Sequence, residues 1–352
     1  MLPGLLISLS NLGGALSTAP VVLGTVKAAA SAEPIPYSVV AVPSAGLEQF
    51  TNDHGVFTLR GLPTGNVRIR VRHLGYTPVD TTVRLAENDT VKLDVALKKL
   101  SINLEAMRVV GSVRVHLAEG CPPFSSAEEQ ASIVQLLEQV ILNAEQFRLL
   151  VKDHPFIARF NDYGVVRKTD GSLAEDPHAI EGAKILDHFA ILSSAKPVYE
   201  AGNVIRRIHG SDQVLVPEIQ DLADSTFIAK HCFSYAGDTT MVDARMIRLA
   251  FKPVAELTDP DIEGTITVRA DGYELREIDL RTTGQLPKKF ADKIAAVRIN
   301  TQFRDLLPGI AVLSRLESFL TPGVESLKRD TTIASRGEIQ TLYGISWQRG
   351  PP

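Results

Sequence analysis

Between Val21 and Leu97 the chain runs in short alternating apolar and polar stretches, and almost every stretch ends on residues that reverse a backbone. Gly24 sits inside Val22-Leu23-Gly24-Thr25-Val26, and Pro34-Ile35-Pro36 leads into Val39-Val40-Ala41-Val42. Asn52-Asp53-His54-Gly55 then forms a tight-turn signal, because Asn and Asp tolerate left-handed backbone and Gly takes positive φ freely. Phe57 and Leu59 follow on alternate positions, as a half-buried strand requires. Pro63-Thr64-Gly65 reverses the chain again, and Leu74-Gly75-Tyr76 marks another break. The last two runs, Thr81 to Leu85 and Thr90 to Leu97, are separated by Glu87-Asn88-Asp89. A helix-forming chain does not tolerate such punctuation; a small antiparallel sandwich needs it.

One run carries both faces of a strand in plain view. Val67, Ile69 and Val71 point one way, predicting core, while Arg68, Arg70 and Arg72 line the other side. That basic stripe is a candidate contact for an anionic partner; the alternative is an ordinary solvated strand face. Taken in order, the turn and strand residues from Val21 to Leu97 resemble the carboxypeptidase regulatory-like domain, a seven-stranded prealbumin-type β-sandwich. The resemblance implies a module that binds or positions and does not catalyse, expected over residues 20–110.

The 352 residues are long enough for a second domain, and 44% apolar composition supplies ordinary cores. The net charge of −4 brings no dominant basic face, so nucleic acid is not an expected partner. From Met1 to Val26 there is no charged side chain, and Leu5-Leu6-Ile7-Ser8-Leu9 precedes Gly13-Gly14, Ala15 and Ser17. Residues 1–19 read as the rear of a secretory signal cleaved near Ser17 or Ala19, lacking the usual basic leader, for which a true start lying upstream is one explanation. The other reading is a tail on a cytosolic protein. Pro3, Asn11, Gly13, Gly14 and Pro20 interrupt the stretch, so an integral membrane span is not expected there or elsewhere. The chain has two cysteines, Cys121 and Cys232. In an oxidising compartment they could close one disulfide; otherwise they are two unrelated thiols.

Residues 111–155 read as a connector and an amphipathic helix. Ser125 with Glu128, or Ser126 with Glu129, forms a capping box, and Ile133, Leu136, Leu137, Val140, Ala144, Phe147 and Val151 recur at helical spacing until Pro155. So wide a stripe predicts a helix lying against a sheet. Residues 156–349 turn back to strands: 157–167, 198–209, 226–235, 246–251, 262–268, 273–280, 297–303, 310–320 and 339–347. Asp271-Gly272 and Leu307-Pro308-Gly309 lie between neighbouring runs as hairpin signals. The expected fold is therefore mainly β, with an N-terminal antiparallel prealbumin-like sandwich followed by a long helix packed on a curved, half-barrel-like antiparallel sheet. Alternation assigns Leu249, Phe251, Ile266, Val268 and Leu275 to its inner face. The runs His231-Cys232-Phe233, Ile247 to Pro253, Asp261 to Ile266 and Tyr273 to Arg276 are similar to the C-terminal part of bacterial envelope proteins of unknown function that begin with the regulatory-like domain. Those proteins look like the half-barrel lipoprotein-carrier architecture.

No catalytic, cofactor-binding or metal-binding residue is assigned. His178 and Glu181 have the spacing with which zinc carboxypeptidases hold their metal, but such a site needs a third protein ligand, and the last histidine of the chain is His231. No serine stands between glycines at nucleophile-elbow spacing, and no phosphate loop or dinucleotide fingerprint occurs. Cys232 adjoins His231, yet neighbours on a strand face opposite ways. Asp259 and Asp261 read as a loop before a strand. The expectation is a non-catalytic exported protein, periplasmic or outer-membrane-associated, acting in binding or docking. Its partner would be another envelope protein, a glycan or a lipid. Carbohydrate binding, lipid or lipoprotein carriage, and a hydrolase with dispersed residues are the alternatives.

Overall fold

The computed structural model of the protein describes residues 19–102, 120–124, 126–176, 186–189, 199–208, 211–215, 217–254, 260–283, 286, 294–323 and 331–348. The apolar segment 1–18 lies outside the described residues. The chain divides into two compact units. One comprises the described residues up to Arg72 together with Pro78–Leu97; the other comprises His73–Thr77 and the described residues from Lys98 on.

The first unit has seven strands, β1 (Val21–Ala28), β2 (Val39–Val42), β3 (Leu47–Phe50), β4 (Val56–Leu59), β5 (Gly65–Arg72), β6 (Val79–Leu85) and β7 (Thr90–Leu97). They form two sheets, β4-β1-β7 and β3-β2-β5-β6. Phe57, Leu59, Val67, Ile69 and Val71 are all buried in the core, as their alternation predicts. The turn before β4 is held by Asn52, whose Oδ1 accepts from the backbone N–H groups of His54 (3.0 Å) and Val56 (2.8 Å). Gly55 follows at φ 70°, where a Cβ would press within 2.6 Å of the Val26 carbonyl. One pairing departs from the antiparallel expectation: β1 runs parallel to β7, from Val21 opposite Thr90 to Ala28 opposite Leu97. Alternation fixes which face a residue occupies but not which strand lies beside it.

The second unit begins with α1 (Ala127–Asp153). Ser126 is the cap, its Oγ accepting from the Glu129 N–H at 3.0 Å. Then come β8 (Phe156–Lys168), β9 (Leu173–Glu175), β10 (Leu186–Phe189), the hairpin pair β11 (Ile205–Ile208) and β12 (Ser211–Val214), and α2 (Ser225–Lys230). A meander follows: β13 (His231–Met241), β14 (Ala244–Pro253), β15 (Ile262–Arg269), β16 (Leu275–Thr282), β17 (Ile294–Leu307), β18 (Ile310–Pro322) and β19 (Ile333–Trp347). The ten-stranded antiparallel sheet is ordered β10-β8-β19-β18-β17-β16-β15-β14-β13, with β9 on β8. Two strand expectations change. The run 226–235 is helical up to Lys230, because the Asp224 carboxylate accepts from the Thr226 N–H at 2.6 Å and starts a helix there. Among the described residues of the run 198–209, only Ile205–Ile208 is strand.

The inner face of this sheet is filled by α1. Ile133, Leu136, Leu137, Val140 and Ala144 share one core with Ile247, Leu249, Phe251, Ile266, Val268, Leu275 and Ile299. Apolar contact is supplemented by buried amides. Asn143, 2% exposed, donates through Nδ2 to the Tyr273 carbonyl (2.9 Å), and its Oδ1 accepts from the Leu275 N–H (2.9 Å). One turn earlier on α1, Gln139 Oε1 accepts from the Gly75 N–H at 3.0 Å. These bonds fix the rotation of α1 over the β15–β16 hairpin, where apolar packing alone would tolerate sliding.

Candidate functional site

Within the second unit a cavity of about 450 Å³ opens where the start of α1 parts from the sheet. Its walls are the segment Cys121–Phe124, the first turns of α1 (Ser126, Ala127, Gln130), and His231 and Phe233 of β13. The segment before α1 is tied to β13 by a Cys121–Cys232 disulfide, with Cα atoms 5.4 Å apart and a sequence separation of 111. Pro122 and Pro123 stiffen the strap next to the bridge. Ser126 is engaged as the helix cap, and the described lining offers no ionised side chain to an occupant.

Behind this wall lies a buried polar network. Tyr199 Oη donates to Asp261 Oδ1 at 2.7 Å, and the Gly202 and Ile262 N–H groups donate to the same carboxylate at 2.9 and 2.8 Å. His231 Nδ1 lies 2.8 Å from the Phe227 carbonyl, which can only accept, so Nδ1 carries a proton. Its Nε2 lies 3.3 Å from Tyr199 Oη and 3.9 Å from Asp261 Oδ2. Burial holds the His231 pKa below the usual imidazole range, against the opposing pull of the Phe227 carbonyl and Asp261. Burial also raises the Tyr199 pKa, reinforced by Asp261, so the phenol keeps its proton. Phe227 packs on the His231 ring with centroids 4.4 Å apart and meets Phe251 at 5.5 Å. The His231 and Asp261 side chains are both 0% exposed. His231 thus borders the cavity with its side chain closed off from an occupant. The network joins three separate segments, at Tyr199, α2 with β13, and the start of β15.

The residues singled out from sequence fall as follows. Cys121 and Cys232 meet at the cavity rim. Arg68 and Arg70 both pair with Asp80 of β6, at 3.0 and 3.5 Å, and Arg72 pairs with Glu48 of β3 at 3.0 Å. Those intramolecular carboxylates neutralise much of the stripe that an anionic partner would need. His178, Glu181 and Asp259 lie outside the described residues. Asp261 does precede a strand, but as a fully buried acceptor of three hydrogen bonds. Its partner Tyr199 stands 62 residues away, and no local pattern signals the contact. Among the described residues, no three His, Cys, Asp or Glu side chains are grouped to hold a metal ion, and no helix is long and apolar enough to cross a membrane.

The seven-strand order and its turns can be compared with known proteins. Residues 22–109 match the CarboxypepD_reg-like domain. No curated protein matches the chain. Among solved structures, a LolA superfamily protein from Nitrosomonas europaea aligns over 61% of this chain and 94% of its own, at 8% identity and a TM-score of 0.28. A structure described as an outer membrane lipoprotein-sorting protein domain, from Vibrio parahaemolyticus, aligns over 61% of this chain and 95% of its own, at 10% identity and a TM-score of 0.30. A membrane-associated protein of unknown function from Bacteroides fragilis aligns over 94% of this chain and 99% of its own, at 9% identity and a TM-score of 0.20. Scores this low do not establish a shared fold.

Proposed function

We propose that this chain is a non-catalytic protein of the bacterial envelope that works by binding. Its CarboxypepD_reg-like domain serves as a docking module, and its second unit holds a small uncharged ligand with an apolar body in the cavity beside the disulfide. The observation that carries the reading is the lining of that cavity. Pro122, Pro123, Phe124, Ala127 and Phe233 supply apolar wall, Ser126 and Gln130 supply polar points, and a covalent strap holds one side in place. The His231 side chain is fully buried, with Phe227 and Tyr199 beside its two nitrogens, which supports a binding role over proton transfer. The Cys121–Cys232 bridge supports an oxidising compartment and therefore export. Acyl-chain carriage along the inner face of the sheet is disfavoured, because α1 occupies that face.

The test is a fluorescence titration of the oxidised full chain with N-phenyl-1-naphthylamine, an uncharged apolar probe. One molecule should bind per chain, and Ala127→Trp, which fills the cavity, should weaken binding at least tenfold without loss of secondary structure. Absence of binding, or binding indifferent to Ala127→Trp, would sink the assignment. Peptide mapping of protein recovered from the envelope fraction should find Cys121 and Cys232 joined; recovery only as cytosolic thiols would remove the envelope half of the reading.

A further inference from the structure

The strand registers place six chemically suited side chains on the face of the large sheet turned away from α1. On β8, Phe156 packs against Phe147 of α1 at 6.5 Å, so the even-numbered residues from Phe156 face the helix and the odd-numbered ones face away. Asn161 and Tyr163 are among the latter. Asn161 pairs with Thr341 of β19, and Tyr163 pairs with Ile339. Thr341 in turn pairs with Arg315 of β18, and Ile339 with Glu317. At the irregularity after Leu342, Gly344 lies opposite Arg159, and Tyr343 is the extra residue, which in a β-bulge shares the face of its neighbour.

The two tyrosines are exposed on this face, and the Tyr163 side chain is hydrogen-bonded to Arg315. Tyr163 is 43% and Tyr343 47% exposed. They stand on adjacent strands, four positions apart along β19, a span of roughly 13 Å. The ground between them is polar and organised: Arg315 donates to Glu317 at 2.8 Å and to Thr341 Oγ1 at 3.4 Å. Among the described residues, a Cβ at Gly344 would meet nothing within 4 Å. Three apolar residues of this face, Val165, Phe319 and Ile339, form a small buried cluster, and the exposed Leu173 stands apart from the tyrosines at the margin, on β9 opposite Arg167. Arg315 and Glu317 offset each other at the centre of the face, while Arg159 and Arg167 of the same face are turned onto the Ser346 hydroxyl and the Phe319 ring. Exposed aromatic rings separated by hydroxyl, amide, guanidinium and carboxylate groups suit a molecule whose C–H faces stack and whose hydroxyls hydrogen-bond.

We infer that the face formed by Tyr163, Tyr343, Asn161, Thr341, Arg315 and Glu317 binds an extended, uncharged oligosaccharide. This site is separate from the cavity beside the disulfide and does not depend on the ligand assigned there. The test is isothermal titration of the full chain with cellohexaose, xylohexaose and chitohexaose at millimolar concentration. At least one should bind. Tyr163→Ala and Tyr343→Ala should each weaken it by about tenfold, the worth of one aromatic stacking contact. Tyr343→Phe, which keeps the ring, should stay within twofold of the original. Both exposed positions accept alanine without loss of fold, which the unfolding midpoint of each variant checks. If none of the three sugars binds, or if the double alanine variant binds as tightly as the parent, the inference is overturned and the face is left to a protein partner. N-phenyl-1-naphthylamine binding should be unchanged in these variants, which keeps the two sites distinguishable.

Discussion

Replacing Asn143 by alanine asks whether α1 is held to the sheet by hydrogen bonds as well as by apolar contact. The truncation removes the partner of the Tyr273 carbonyl and of the Leu275 N–H, both on residues no more than 2% exposed. The third bond, from Nδ2 to the Gln139 carbonyl, is lost at little cost, since that carbonyl lies within α1 and serves the helix ladder. A buried group left without a partner costs about 1–3 kcal/mol, so the two together should cost roughly 2–6 kcal/mol. Asn143→Leu restores volume without the bonds and should lose nearly as much, which separates hydrogen bonding from cavity formation. The assay is urea unfolding followed by the fluorescence of Trp347, the only tryptophan of the chain, which sits on β19 and reports the second unit. The midpoint should fall with the slope unchanged. Hydrogen exchange adds a site-specific check: the Leu275 amide should lose protection before its neighbours on β16. If both variants unfold within about 0.5 kcal/mol of the parent, the amide is decoration and the argument for a fixed helix rotation fails.

Acid should act on the second unit through His73, whose pKa burial lowers from 6.5 to about 4. Its neutral form is the folded one, so the unfolded chain takes up the proton first and stability is lost as pH falls from 6.5 towards 4. The loss should reach roughly 3 kcal/mol, at about 1.4 kcal/mol per pH unit. Asp221, pushed up to about 6 by burial, works in the opposite direction over an overlapping range, so the comparison must be made against His73→Gln. Parallel stability profiles for parent and variant between pH 7 and 4 would refute the assignment. In the sandwich, a Cβ on Gly24 would come within 2.1 Å of Phe57 Cζ and 2.7 Å of the Leu93 carbonyl. Gly24→Ala should therefore cost at least about 3 kcal/mol and be partly rescued by Phe57→Leu. Differential proteolysis of the first unit is the readout, and an unaffected cleavage pattern would contradict the close approach.

How much of this was legible beforehand depends on whether the signal was local. Asn52 to Gly55, Pro63 to Gly65 and the alternation from Val67 to Val71 each state a turn or a face within a few residues, and the sandwich follows from them. The stripe on α1 and the alternation of Leu249, Phe251, Ile266, Val268 and Leu275 likewise predict who faces whom. The candidate sites are different in kind. Tyr199, His231 and Asp261 converge from three segments, and Tyr163, Thr341 and Arg315 meet only because β8 joins the sheet beside β19. Sheet partners separated by most of a domain leave no periodic trace in sequence. Polar residues on α1, such as Gln139 and Asn143, interrupt the stripe and gain meaning only once their backbone partners are known. The glycine at position 24 reads as a weak point in a strand until the Phe57 ring is found lying across it.

The pairing of β1 with β7 also governs when the first unit can exist. A chain emerging N-terminus first from a ribosome or a translocation pore delivers β1 long before its parallel neighbour. Val21 must wait for Thr90. Joining ends so far apart costs on the order of 4 kcal/mol in loop closure, which only the completed pair of sheets repays. Until Leu97 has emerged, the three-stranded sheet lacks one of its strands and the sandwich cannot close. Its folding is timed by arrival of its last strand, and a chain cut short of β7 would leave one edge of β1 open to whatever strand comes next.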